Sequence, residues 1–428
     1  MTEAASPPPG TRRNGFARAL SLPNFRNVYL AGVASRAGSA IAFVAITWIV
    51  FSTTGSALAI TYVAVAEMAG AILFTLPSGV WVDRHDRTRL MVLADVLRAG
   101  AMGGMAVSFV VFGFRLVTVI VAMFVVAGVG MLFQPAEQVL IPSLVPAESL
   151  ANANGLNRAT RSIVSLFGSS IGGILVVAAG ATLSIALNSV TYVISALLIL
   201  AVYRALRASD RKTTRTPRKE RHMGQEIVEG FRWLIHKAPG LWQLSISALF
   251  LNFFATIFGT FMVVYVVEGL HASSITYGLF VATGTAGGAL GSLLVGRAGA
   301  VRWVGKVWIL GAGVAPGVLL VALALVHTYW AFPLIFLFDL ILGFAGNTWL
   351  TAAQLLVPAE FQGRYFALDG LLSWGVIPIA QVAGGLLIEA VGIGTTLEYA
   401  GLGLLACGLL SMAGRELWRL GVAPHPAA

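Results

Sequence analysis

Apolar residues run along this chain in long blocks rather than in the short stripes of a water-soluble fold. A helix that crosses a bilayer needs about 20 predominantly apolar residues. Twelve blocks meet that length: 26–51, 57–78, 89–112, 116–136, 156–180, 182–204, 241–267, 274–296, 303–326, 330–352, 366–391 and 396–415. The pattern predicts an all-α integral membrane protein with twelve transmembrane helices. Two amphipathic stretches are expected to lie along a membrane surface. One is Phe16 to Phe25, and the other runs from Gly224 to Lys237 with Ile227, Phe231 and Leu234 at helical spacing.

Composition strengthens this reading. The 428 residues are 57% hydrophobic and 11% charged, with a mean hydropathy of +0.85. A soluble domain carries about 25% charged residues, so this chain could not cover a water-exposed surface. A net charge of +10 would suggest nucleic acid in a soluble protein. Here no nucleic-acid partner is expected, because the excess sits in loops on one side. Of 28 Lys and Arg, all but Arg36, Arg98 and Arg115 fall in loops or segment ends on the side of Asp83. Lys and Arg stay with the cytoplasm, so both termini are expected there. The first segment is too long for the h-region of a signal peptide and is expected to remain as a span.

The candidate chemistry is narrow. The one cysteine, Cys407, lies in an apolar run, and the six histidines show no zinc spacing. Neither a metal nor a cofactor is expected. The chain shows no nucleotide-binding loop, catalytic triad or soluble domain, so an enzyme is not expected. Without an ATP motif, the energy source for any transport is a gradient.

The chain repeats. Val145-Pro146-Ala147-Glu148 recurs as Val357-Pro358-Ala359-Glu360, Gly172-Gly173 as Gly384-Gly385, and Gly180 as Gly392, all offset by 212 residues. Duplication of a six-helix unit explains this. The predicted organisation is a tail (1–25), a six-helix half (26–204), a basic linker (205–240), a second, pseudo-symmetric half (241–415) and a second tail (416–428). The linker carries Arg207, Arg211, Lys212, Arg215, Arg218, Lys219 and Arg221, which suits anionic lipid at the cytoplasmic surface.

Between the second and third segments lies the charged stretch from Gly79 to Arg89, read as a short loop. Gly79, Asp83, Arg84 and Arg87 form Gly-x-x-x-Asp-Arg-x-x-Arg. This resembles the loop between helices 2 and 3 of major facilitator superfamily transporters. The second half keeps the bases as Arg297 and Arg302 but has Gly296 where Asp83 would be. Gly168-Ser169-Ser170-Ile171-Gly172-Gly173 resembles the superfamily's antiporter motif, with Ser169 where proline is usual. Small residues at that spacing also serve plain helix packing. Phe133-Gln134-Pro135-Ala136, Leu140-Ile141-Pro142-Ser143-Leu144-Val145-Pro146, Ala153-Asn154-Gly155, Asp95-Val96-Leu97-Arg98 and Thr54-Gly55-Ser56-Ala57 resemble the branch holding macrolide efflux proteins and the enterobactin exporter.

The resemblance implies secondary active transport by alternating access. It implies export of a bulky amphipathic small molecule of drug, antibiotic or siderophore type, with protons flowing inward. The setting would be a bacterial inner membrane, with lipid as the other partner and the monomer as the working unit. It also implies that Asp83 latches onto the start of helix 11 while Arg84, Arg87 and Arg89 pair with acids and lipid phosphates. A proton-coupled importer, a uniporter and a non-transporting membrane sensor are the alternatives on this scaffold.

Within the segments, Asp95 and Arg98 are three apart on one helix face near the charged loop, so they are expected to brace a cytoplasmic gate. Three ionisable residues sit deep: Arg36, Glu67 and Asp339. A lone charge at that depth costs at least about 2.5–3.5 kcal/mol. Arg36 and Glu67 share a depth on adjacent segments and are expected to pair. Carboxylic acids in low dielectric can exchange protons near neutral pH, so Glu67 and Asp339 are the candidate proton carriers. The resemblance places helices 1, 4, 7 and 10 around a cavity. Stripes of polar and small residues then offer Arg36 and Phe43, Asn252 and Thr256, and Asn347 as lining.

Overall fold

In the computed structural model the described residues are 17–208, 231–232, 234–298 and 300–421. Long apolar runs without charge leave the backbone one way to satisfy its polar groups in lipid, the α-helix. The helices are α1 (Pro23–Thr54), α2 (Ala57–Arg84), α3 (Arg87–Phe112), α4 (Leu116–Leu144), α5 (147–179) and α6 (181–208). They continue as α7 (Pro239–Val264), α8 (Ser274–Ala298), α9 (Val304–Leu325), α10 (Ala331–Leu356), α11 (359–391), α12 (393–412) and the short α13 (Arg415–Arg419). Proline is tolerated inside such helices, and Pro77 lies within α2, Pro135 and Pro142 within α4. Large apolar side chains such as Val110, Leu293 and Leu410 are exposed, as a lipid-facing surface requires.

Among the described residues, ten helical stretches are long and apolar enough to cross a membrane. Two of them, Asn152–Arg207 and Leu368–Met412, have 56 and 45 residues, enough for two crossings each. Each turns at a glycine with positive φ: Gly180 (φ 81°, ψ 157°) between α5 and α6, and Gly392 (φ 80°, ψ 166°) between α11 and α12. Counting these as paired crossings brings ten to twelve. That backbone region is essentially reserved for glycine and costs other residues about 1–3 kcal/mol. Gly180→Ala is therefore expected to lower the thermal unfolding midpoint in detergent although nothing lies within 4 Å of the added methyl. Gly392→Ala should do the same to a similar extent.

Several boundaries differ from the sequence expectation: α5 begins at residue 147 rather than 156 and α11 at 359 rather than 366, and two others bear on the charged motifs. The stretch Gly79–Arg89 is not a loop. α2 runs through Arg84 and α3 begins at Arg87, leaving His85 and Asp86 as the connection. The Asp86 side chain caps α3 by accepting from the Arg89 N–H at 3.0 Å. Likewise α4 extends past residue 136 to Leu144. Hydropathy marks where a helix leaves the apolar layer, whereas its hydrogen bonds persist into polar sequence. Of the two amphipathic stretches, residues 17–20, 23–25, 231–232 and 234–237 are helical. Leu234 is buried with Leu241, Ala353, Val357 and Tyr365, and Phe231 meets Trp242 edge to face. Phe16 and residues 224–230 lie outside the described residues.

The chain forms two compact units. One holds Met1–Ile49 and Ala66–Thr216, the other Val50–Val65 and Pro217–Ala428. The tip of the α1–α2 hairpin therefore belongs to the second unit. There Ser56 Oγ and the Leu58 N–H donate to Glu389 at 2.6 and 3.4 Å, and Thr61 Oγ1 donates to the Gln381 carbonyl.

Glycines set the packing inside each unit, and the two units use them alike. In the first, Gly172 of α5 faces Ile41 and Val44 of α1; in the second, Gly384 of α11 faces Ile257 and Phe261 of α7. Gly70 of α2 lies against the Phe124 carbonyl of α4, and Gly287 of α8 against the Phe336 carbonyl of α10. Phe124 and Phe336 are again 212 residues apart.

Candidate functional site

The first unit encloses a chain of charged and polar side chains contributed by five helices. α3 supplies Asp95, which is fully buried. Arg98, one turn on, reaches it at 3.4 Å, and Ser195 of α6 donates to its other oxygen at 2.5 Å. The Arg98 guanidinium also lies over the rings of Phe133 (5.5 Å) and Tyr192 (5.4 Å). Gly130 of α4 leaves room for it, since a Cβ there would stand 2.5 Å from Nη2. Tyr192 in turn meets Ser39 of α1 at 2.9 Å. The pair expected from i,i+3 spacing thus forms, and aromatic faces and a serine hold it.

Arg36 lies on the same unit, and its partner differs from the expectation. It does not pair with Glu67. Its Nη1 reaches Glu137 Oε2 of α4 at 3.5 Å, and Arg161 of α5 approaches the same oxygen at 3.9 Å. Side-chain exposure is 23% for Arg36, 2% for Glu137 and 42% for Arg161. The Arg36 head group folds back over Gly32, where a Cβ would meet Nη2 at 2.5 Å. That direction carries it toward the start of α1 and so toward the end of α4, where Glu137 stands seven residues before Leu144. Equal depth of two charges does not make them meet; side-chain direction and helix azimuth also count.

Glu67 of α2 is exposed and has no ion-pair partner among the described residues. Phe43 is exposed as well. Gly168, Gly172 and Gly173 are all buried, with Gly168 against Ala40 and Gly172 against Ile41, so this motif seats α5 on α1. At the charged end, Arg87 is half-buried beside a cavity of about 90 Å³ shared with Thr88, Tyr203 and Arg207. Arg89 donates to the Tyr203 hydroxyl at 2.6 Å and lies over its ring. The surroundings of Gly79 and the side chains of Asp83 and Arg84 lie outside what is described, and with them the expected latch.

In the second unit Asp339 of α10 is half-buried, and its carboxylate rests directly over Gly284 of α8. No cation pairs with it among the described residues. Asn252 and Thr256 are half-buried on α7, and Asn347 on α10 donates to the Gly343 carbonyl at 3.4 Å. Near the start of α11, Asp369 is buried and accepts from Ser245 of α7 at 2.9 Å.

Sequence reasoning missed Glu137, Arg161 and Asp369. Glu137 fell one residue beyond the fourth apolar block. A usable signal existed: Phe133, Ala136, Leu140 and Leu144 keep helical spacing straight past Glu137.

A family model described as transmembrane secretion effector matches residues 15–417. The multidrug efflux pump Tap of Mycolicibacterium fortuitum is 25% identical over 417 residues, covering 93% of this chain and 97% of that one. Macrolide efflux protein A of Streptococcus pyogenes is 23% identical, covering 86% and 90%. Among solved structures, a bacterial homologue of the iron transporter ferroportin in an inward-facing state aligns with a TM-score of 0.69 at 20% identity, covering 92% and 98%. A bacterial homologue of the lysosomal transporter Spinster aligns with a TM-score of 0.65 at 15% identity, covering 98% and 100%. At those identities the structures speak to the fold alone. A family match across nearly the whole length, a multi-pass helical fold and relatives named as efflux pumps converge. The chain belongs to the transmembrane secretion effector family, and is a bacterial membrane efflux transporter of the major facilitator superfamily.

Proposed function

We propose that this transporter exports a bulky amphipathic small molecule of drug, antibiotic or siderophore type in exchange for protons, with Glu67 and Asp339 as the proton carriers. The observation that carries the reading is a division among the acids inside the helices. Asp95 and Glu137 are each held by arginine and Asp369 by the Ser245 hydroxyl, whereas Glu67 and Asp339 have neither a cation nor a hydrogen-bond donor beside them among the described residues. An acid without a counter-charge in low dielectric is free to gain and lose a proton. The named relatives, a multidrug pump and a macrolide efflux protein, support export of such compounds.

In this reading the two halves alternate access to the two sides of the inner membrane, both termini are cytoplasmic, and the monomer is the working unit. Asp83 and its arginines stabilise the closed cytoplasmic side, and Phe43, Asn252, Thr256 and Asn347 contribute lining to the substrate path.

Everted vesicles energised by respiration provide the test. Internal pH is followed with a fluorescent dye while drugs and siderophores are added. One compound class is expected to release protons from wild-type vesicles, with the response lost in Glu67→Gln or Asp339→Asn. A wild-type response that survives in both variants would remove these acids from coupling. Transport of a bound compound without any proton movement would favour facilitated diffusion instead.

A further inference from the structure

We infer that the Arg36–Glu137–Arg161 cluster is an anion-binding site of the first unit, and that it takes the carboxylate or phosphate group of the transported molecule. The preferred cargo is then an anionic amphiphile. This rests on the export reading only for the identity of the molecule that carries the anion.

Charge is the first ground. Two guanidiniums converge on one carboxylate oxygen, at 3.5 and 3.9 Å. Neither arginine has another acid within ion-pair distance among the described residues. Asp95 does not make up the difference, since it pairs with Arg98. The cluster therefore carries one positive charge more than its acid balances, within helices that cross a membrane, where an uncompensated charge is costly.

Hydrogen bonding is the second ground. Arg36 spends one nitrogen on Glu137, while its Nε and Nη2 are buried with no partner. Guanidinium groups are built to hold carboxylate or phosphate through two parallel N–H bonds, and Nε with Nη2 is one of the two edges that do so. Gly32 completes the setting: only a residue without a side chain leaves the guanidinium its place over α1. Glu137 holds the arginine there without saturating it.

The test uses the full-length protein in nanodiscs of phosphatidylcholine and a matched pair of fluorescent probes, dansyl-undecanoic acid and its methyl ester. The wild type is expected to bind the acid roughly tenfold more tightly than the ester. Arg36→Gln should abolish that preference, so that the acid binds no more tightly than the ester, and it should fold because Arg161 still balances Glu137. Arg161→Gln should weaken the preference. Equal binding of acid and ester by the wild type, binding of neither, or an acid preference that persists in Arg36→Gln would each overturn the inference. A preference present in phosphatidylcholine but lost in phosphatidylglycerol discs would overturn the assignment to cargo by giving the site to a lipid headgroup. Proton antiport with neutral or cationic compounds, alongside no acid preference, would leave the export reading standing without the anion site. Acid preference without proton movement would do the reverse.

Discussion

Glu137→Ala is expected to destabilise the protein by roughly 3 kcal/mol, the low end of what breaking a buried ion pair costs. The reason is asymmetric compensation. Removing the carboxylate leaves Arg36 and Arg161 with like charge and no acid between them. Removing Arg36 instead leaves Glu137 with Arg161. Arg36→Gln should therefore cost distinctly less than Glu137→Ala, and the double variant Arg36→Gln/Glu137→Gln should recover part of the loss. The low end of the range applies because the Arg161 side chain is 42% exposed and can turn to a wetter environment. Thermal unfolding of the purified protein, followed by tryptophan fluorescence, reads all three. Equal midpoints for Glu137→Ala and Arg36→Gln would show that the carboxylate is not the shared counter-charge.

Gly291→Val is expected to have a comparable effect in the other unit, by sterics alone. α8 carries Gly284, Gly287, Gly288 and Gly291 along the face that meets α10. A Cβ on Gly291 would collide with the Leu340 carbonyl and stand 2.9 Å from the Phe344 amide nitrogen, both backbone atoms that cannot swing aside. Overpacking a close contact costs about 1–3 kcal/mol, more where backbone must move. Separating α8 from α10 would also unseat Asp339 from its place over Gly284, so transport should fall with stability. The control is the neighbour: a Cβ on Gly288 has its nearest atom at 3.6 Å, and Gly288→Ala should accumulate and melt like wild type. Comparing the amounts of folded protein in the membrane for the two variants checks this. A well-folded Gly291→Val would mean that α8 and α10 are not locked through this stripe.

The interior of the first unit shows how a site can be half legible. Asp95 and Arg98 were readable as a pair because three residues along a helix fix both distance and face. Arg36 was recognisable as a buried charge in need of a partner, yet the partner was misassigned. Glu67 matched it in depth, but Glu137 matched it in direction. Glu137 itself was hidden by the polar residues that surround it, which lower hydropathy without ending α4. The glycine motif of α5 was readable as a packing surface, and its partner helix was not, because small residues advertise close approach without naming what approaches.

The sequence by itself determined that this chain lives in a membrane, crosses it many times and is built from a duplicated unit. Those properties follow from sums along the chain: apolar length against bilayer thickness, and a constant offset of 212 residues between repeated motifs. Only the tertiary structure decided which charges meet. It joined Arg36 and Arg161 to Glu137, set Asp339 over Gly284, and put Ser56 on Glu389. Each of these depends on the rotation of one helix about its axis relative to a helix distant in sequence. That rotation is set by the combined packing of many glycines and side chains, and no local pattern encodes it.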